Sequence, residues 1–134
     1  MATIDLRTEI IGAVPSHGVR DHCVLKERID ASKVAGGLVS GNTYKYLTIP
    51  AKMIVHKVHI RVVTADGAAG TTTLTDGTIV PKAAQVLNAL GMFYGTTDLP
   101  KYFPDGGILS GLIATADITT AIFDVIVEGI LLAE

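Results

Sequence analysis

The stretch "MIVHKVHIR", Met53 to Arg61, places His56 and His59 three residues apart. Two imidazoles at that spacing suit one metal ion if the segment is helical, because residues three apart share a helix face. The segment and its continuation hold Ile54, Val55, Val58, Ile60, Val62 and Val63, however, and such a density of β-branched side chains favours a strand. On a strand, residues three apart point in opposite directions. His56 is then expected on an apolar face with Ile54, Val58, Ile60 and Val62. His59 is expected beside Met53, Val55, Lys57, Arg61 and Val63, on a face turned to solvent or to a partner. One ion cannot bridge the two rings without a bulge between them, and no further His or Cys set completes a site. No metal is predicted.

Other residues with chemical potential fare no better. "DHC", Asp21 to Cys23, collects an acid, a base and a nucleophile, but neighbouring strand residues point apart, so His22 cannot activate Cys23. A lone cysteine excludes an internal disulfide and reads as a small buried hydrophobe. The glycine stretches "AGG", "DGAAG" and "DGG" lack the Lys-Ser/Thr of a phosphate loop and the strand-to-helix setting of a dinucleotide fingerprint. Asp66 and Asp76 sit beside glycines in loops, without the repeated carboxylates of a calcium loop. Asp124 and Glu128 can share a strand face, but four residues along a strand separate them by roughly 13 Å, too far for a glycosidase pair. The sequence predicts no catalytic residue, no cofactor and no enzyme.

The elements that carry these residues are short and rich in Val, Ile, Thr and Tyr, with glycine-marked turns between them. Strands are expected over Thr3–Ile11, Val19–Ile29, "TYKYLTI" running into Pro50, "MIVHKVHIRVVTA", "TTTLT", "ILSGLIAT" and "TAIFDVIVEGILLA". In Val19–Ile29 one face holds Asp21, Cys23, Leu25, Glu27 and Ile29. "PKAAQVLNALG" reads as the single helix: Pro81 suits a first turn, Ala83, Val86, Leu87 and Leu90 fall at helical spacing, and Gly91 suits a stop. One helix among about seven strands is too few for a parallel α/β sheet. The expected fold is all-β, an antiparallel β-sandwich of jelly-roll-like form with one short helix near residues 81–90. Residues 1–134 make a single domain, with 1–11 as a candidate N-terminal arm.

Composition narrows the function. The 134 residues are 49% hydrophobic and 18% charged, with a mean hydropathy of +0.45, apolar for one domain. Part of that surplus is expected to face a second copy or another protein. No run approaches the roughly 18 apolar residues of a membrane span, and the acidic N-terminal stretch is unlike a signal peptide. The chain is expected to stay in the cytoplasm or to assemble there. Its formal charge is −2 and its eleven Lys and Arg are scattered, without the basic stripe that nucleic acid requires.

The segment from Tyr44 to Gly77, "YKYLTIPAKMIVHKVHIRVVTADGAAGTTTLTDG", has an ordered layout. An extended strand leads to "IPA", then to a long β-branched strand ending "VTA", a Gly-rich loop, and a Thr-rich strand closing in "DG". It resembles the small jelly-roll-like capsid decoration, or cement, proteins of tailed bacteriophages. In their pattern a Gly follows "IPA", and here Lys52 replaces it. The resemblance implies a virion protein on the capsid exterior that binds the major capsid protein, associates with itself as a homotrimer or homodimer, and stabilises the shell. Multivalency would strengthen weak contacts repeated across the lattice.

Two segments are candidate contact elements. The N-terminal arm offers Ile4, Leu6 and Ile10. The segment Gly91–Pro104, expected as a loop, holds Phe93, Tyr94, Tyr102 and Phe103, and aromatic residues are favoured interface anchors. Alternatives are a phage tail, neck or fibre-associated protein and a jelly-roll carbohydrate-binding module.

Overall fold

The computed structural model describes residues 3–6 and 20–132. Among these residues, ten strands form two facing sheets. The first runs β1 (Thr3–Asp5), β3 (Thr43–Ile49), β9 (Gly107–Ala114), β5 (Thr71–Thr75) and β6 (Lys82–Val86). The second runs β2 (Arg20–Asp30), β10 (Ile122–Leu132), β4 (Met53–Thr64) and β7 (Gly91–Gly95), with β8 (Lys101–Phe103) on the far end of β4. All pairings are antiparallel except β1 with β3. This is the expected all-β sandwich of jelly-roll-like form, with more and shorter strands than its turn signals suggest.

Alternation sets the core. Cys23, Leu25 and Ile29 on β2, Val58, Ile60 and Val62 on β4, and Phe123, Val125 and Val127 on β10 are all buried. Glu27 follows the same inward phase, as its place in the alternation predicts, at 9% exposure. Across the interior, Tyr46 of β3 meets Phe123 of β10 edge to face, with ring centroids 5.6 Å apart. The buried Tyr46 hydroxyl shares a 2.9 Å hydrogen bond with the Thr72 hydroxyl, as a buried phenol requires. Gly111 on the neighbouring strand leaves room for that ring, since a Cβ there would run into both the ring and Thr72.

The expected helix near residues 81–90 is absent; Lys82–Val86 is a strand paired with β5. Its helical spacing gathers Ala83, Val86, Leu87 and Leu90, but only Leu87 is buried in the fold, and Leu90 is 67% exposed. An amphipathic helix draws most of its stability from packing its apolar face. Here β5 offers a hydrogen-bonding edge, so sheet pairing prevails over the propensity of Ala and Leu.

The expected loop Gly91–Pro104 is likewise structured, as β7 and β8 with a turn between. Both strands pair with β4, which a bulge divides between them: β7 takes Val58–Val62 and β8 takes Met53–Val55. At the bulge, Val55 pairs with Gly129 and Lys57 with Glu128, which leaves His56 as the extra residue. A Cβ on Gly129 would collide with the Ile54 carbonyl, so the irregularity depends on glycine. Just before β4, Lys52 adopts φ +64°. That left-handed geometry favours glycine, and it falls where the cement-protein pattern carries one.

Candidate interaction face

The chemistry-bearing side chains collect on the outer face of the second sheet. Strand register arranges them in rungs. Arg28, Asp124, Arg61 and Met92 lie side by side on β2, β10, β4 and β7. The next rung is Lys26, Ile126, His59 and Tyr94, followed by Val24, Glu128 and Lys57. The last is His22, Ile130, Ile54 and Tyr102, the tyrosine supplied by β8.

Asp124 centres the first rung. Its side chain is 0% exposed although it points outward from the sheet, because three cations cover it. Arg28 donates to both carboxylate oxygens, at 2.8 and 3.2 Å. Lys26 Nζ and Arg61 Nη1 each stand 4.0 Å from Oδ2. The hydrogen bond and the charge of Asp124 raise the Arg28 pKa above its ordinary value. All three cations remain about half exposed, so one carboxylate is shared among three positive groups that still reach solvent.

Glu128 centres the other pair. Its carboxylate is hydrogen-bonded to His59 Nε2, and His22 Nε2 lies 3.7 Å from the other oxygen. The His59 ring is mostly buried, and its Nδ1 has no hydrogen-bond partner. Tyr94 leans over this group, with its centroid 6.0 Å from the His59 ring and 5.6 Å from Lys57 Nζ.

The two histidines of "MIVHKVHIR" therefore serve no common site. His59 faces outward with Lys57 and Arg61, as expected. His56 departs from the expectation: it is exposed rather than on the apolar face, because the bulge takes it out of the alternation that buries Val58 and Ile60. "DHC" also fails to assemble, since His22 is exposed and Cys23 is buried, where desolvation raises the thiol pKa. Among the described residues, no group of three or more His, Cys, Asp or Glu is placed to hold a metal ion.

The loop carboxylates have structural work instead. Asp66 Oδ1 accepts the N–H groups of Thr119, Thr120 and Ala121 and the Thr120 hydroxyl, while Oδ2 accepts from Ala68. Desolvation alone would raise its pKa; the hydrogen bonds from Thr120, Ala68 and Thr119 outweigh it and lower the value. Asp76 accepts from Thr78 and Ile79 through Oδ1 and from Lys101 through Oδ2. Desolvation again opposes, yet the Ile79 N–H, Lys101 and Thr78 bring its pKa down to about 2. Carboxylates filled with N–H and hydroxyl donors are caps and staples rather than cation ligands.

The predicted contact residues separate by strand alternation. Tyr94 and Tyr102 are 64% and 46% exposed, whereas Phe103 is buried and Phe93 packs against the core. Ile4 and Leu6 also pack, partly buried, against the core of their own chain, and Ile10 lies outside the described residues. Sequence reasoning missed the cations around Asp124. The signal was the outward phase of Lys26, Arg28, Arg61 and Asp124, legible within each strand but joined only by the register.

The sandwich is shared with chains of phage capsids. A chain of the cyanophage Pam1 capsid asymmetric unit matches with TM-score 0.67 at 19% identity, over 89% of this chain and 91% of that one. A chain from the capsid of Ralstonia phage GP4 matches with TM-score 0.67 at 15% identity, over 93% of each chain. A chain from the acidic stable capsid of Helicobacter pylori bacteriophage KHP30 matches with TM-score 0.58 at 14% identity, over 86% and 90%. Because each match spans most of both chains, those chains are similar in length to this one. No family model matches the chain, and no curated protein matches it in sequence.

Proposed function

We propose that this chain is a cement protein of a tailed bacteriophage, which binds the outside of the major capsid lattice and stabilises the shell. The observation that carries the reading is the end-to-end fold match with chains of similar length from phage capsids. The molecule suits the task. Its two sheets close over a largely apolar interior anchored by Tyr46 and Phe123, and such packed interiors resist deformation. The chemically varied side chains lie on an outer sheet face, where they are available to a partner. Self-association as a dimer or trimer fits the same reading, because several copies acting together multiply weak lattice contacts.

Shells assembled from the major capsid protein of the same phage provide the test. The purified chain is expected to co-sediment with expanded shells in hundreds of copies per particle and to raise their disruption temperature by several degrees. Absence of binding, or a copy number confined to one vertex, would refute the proposal, and the second result would move the protein to the tail or neck.

A further inference from the structure

The outer face of the second sheet has a charge opposite in sign to that of the whole chain. Lys26, Arg28, Lys57 and Arg61 lie on it against three carboxylates, Asp30, Asp124 and Glu128, whereas the chain carries a formal charge of −2. The excess is concentrated. Arg28, Lys26 and Arg61 converge on the single buried carboxylate of Asp124, within 2.8 to 4.0 Å, and stay about half exposed. Asp124 can neutralise one of them. Beside them, Val24, Met92 and Tyr94 are exposed at 42%, 50% and 64%.

We propose that this face docks an acidic surface of another protein, whose carboxylates complete the coordination of Arg28, Lys26 and Arg61 over Asp124 while Met92 and Tyr94 supply the apolar contact. Guanidinium groups held in place by an existing carboxylate are pre-ordered for a second one, and arginine favours planar, two-point recognition. Charged rims around aromatic anchors are typical of protein interfaces. Nucleic acid suits the face less well: a phosphate backbone needs an extended basic track, and here Asp124 and Glu128 interrupt the positive side chains. The inference relies on the cement reading only to identify the acidic partner as the capsid shell; the site itself stands on the charge arrangement.

Poly-L-glutamate is the probe, titrated into the 15N-labelled full chain at low salt. Shifts are expected at Lys26, Arg28, Arg61, Met92 and Tyr94, with affinity falling at least tenfold between 50 and 200 mM salt. The double variant Lys26→Gln/Arg61→Gln keeps the Arg28–Asp124 pair and is expected to lose at least tenfold in affinity. Lys45→Gln/Lys82→Gln removes the same charge from the first sheet and is expected to stay within twofold of the parent chain. The proposal is overturned if poly-L-glutamate shifts nothing, if both double variants weaken equally, or if duplex DNA of equal charge displaces the peptide. Concentration-dependent self-association abolished by Lys26→Gln/Arg61→Gln would overturn it in favour of a second copy as the occupant. A chain that binds poly-L-glutamate through this face but ignores shells would leave the docking site standing and remove the cement reading.

Discussion

Asp66 and Asp124 are both buried aspartates, at 5% and 0% exposure, yet they are held by opposite means. Asp66 is surrounded by its own backbone: four N–H groups and one hydroxyl from two loops converge on it. Asp124 is covered by side-chain cations from both neighbouring strands. The first arrangement is closed, because each donor is spent on the carboxylate and the two loops are pinned together. The second is open, because three half-exposed cations share one anion and keep a face toward solvent. Backbone-held carboxylates thus serve the fold, and side-chain-held ones leave charge for a partner. Substitutions at the two sites should separate those roles.

The largest effect is expected at Asp66. Removing its carboxylate with Asp66→Ala strands the N–H groups of Ala68, Thr119, Thr120 and Ala121, and an unsatisfied buried polar group costs about 1–3 kcal/mol. Thr119 and Thr120 are exposed, so water recovers part of that loss, and the net destabilisation should be about 3 kcal/mol. Urea unfolding monitored by circular dichroism measures it. A loss below about 1 kcal/mol would mean that the loops hold without the staple. Binding of poly-L-glutamate by the folded fraction should be unchanged.

Acid should act next, on the loop aspartates that accept backbone N–H groups. The pKa of Asp66 is lowered and that of Asp76 is brought to about 2, against about 3.9 for an unfolded aspartate. A depressed folded pKa gives stability that is fully present above the unfolded value and is lost as pH falls through the folded one. For Asp76 the window runs from about pH 4 down to about pH 2, and the loss is on the order of 2 kcal/mol. Asp76→Asn should flatten the pH dependence of unfolding in that window while lowering stability at neutral pH. An unchanged slope between the two proteins would show that Asp76 does not carry this part of the acid response.

The same contrast explains what was legible in the sequence. Alternation within a strand could be read directly, so the shared face of Cys23, Leu25, Glu27 and Ile29 and the outward phase of Lys57, His59 and Arg61 agree with the structure. What depends on a second strand could not be read. The bulge that exposes His56 requires Gly129 of β10 opposite it, and nothing local to "MIVHKVHIR" signals it. The segment 81–90 has helical spacing, but the choice was made by the free edge of β5. Phe93 and Phe103 looked like partners of Tyr94 and Tyr102 because β7 and β8, of five and three residues, are too short to display their alternation. The cations around Asp124 come from two strands distant in sequence from each other and from β10, so their convergence is a property of register alone.

The smallest effect on stability, and the most discriminating on binding, is expected at Asp124. Asp124→Asn keeps the shape and one acceptor oxygen while removing the charge that the three cations share. Because Lys26, Arg28 and Arg61 are half exposed, water can solvate them after the change, and the cost should be only about 1 kcal/mol, well below that of Asp66→Ala. The face gains one net positive charge, so its affinity for poly-L-glutamate should rise about threefold at low salt, with a steeper salt dependence. If affinity falls instead, the carboxylate serves mainly to position Arg28 and Arg61. The site would then resemble the closed arrangement at Asp66 more than the open one, and the distinction between the two aspartates would fail.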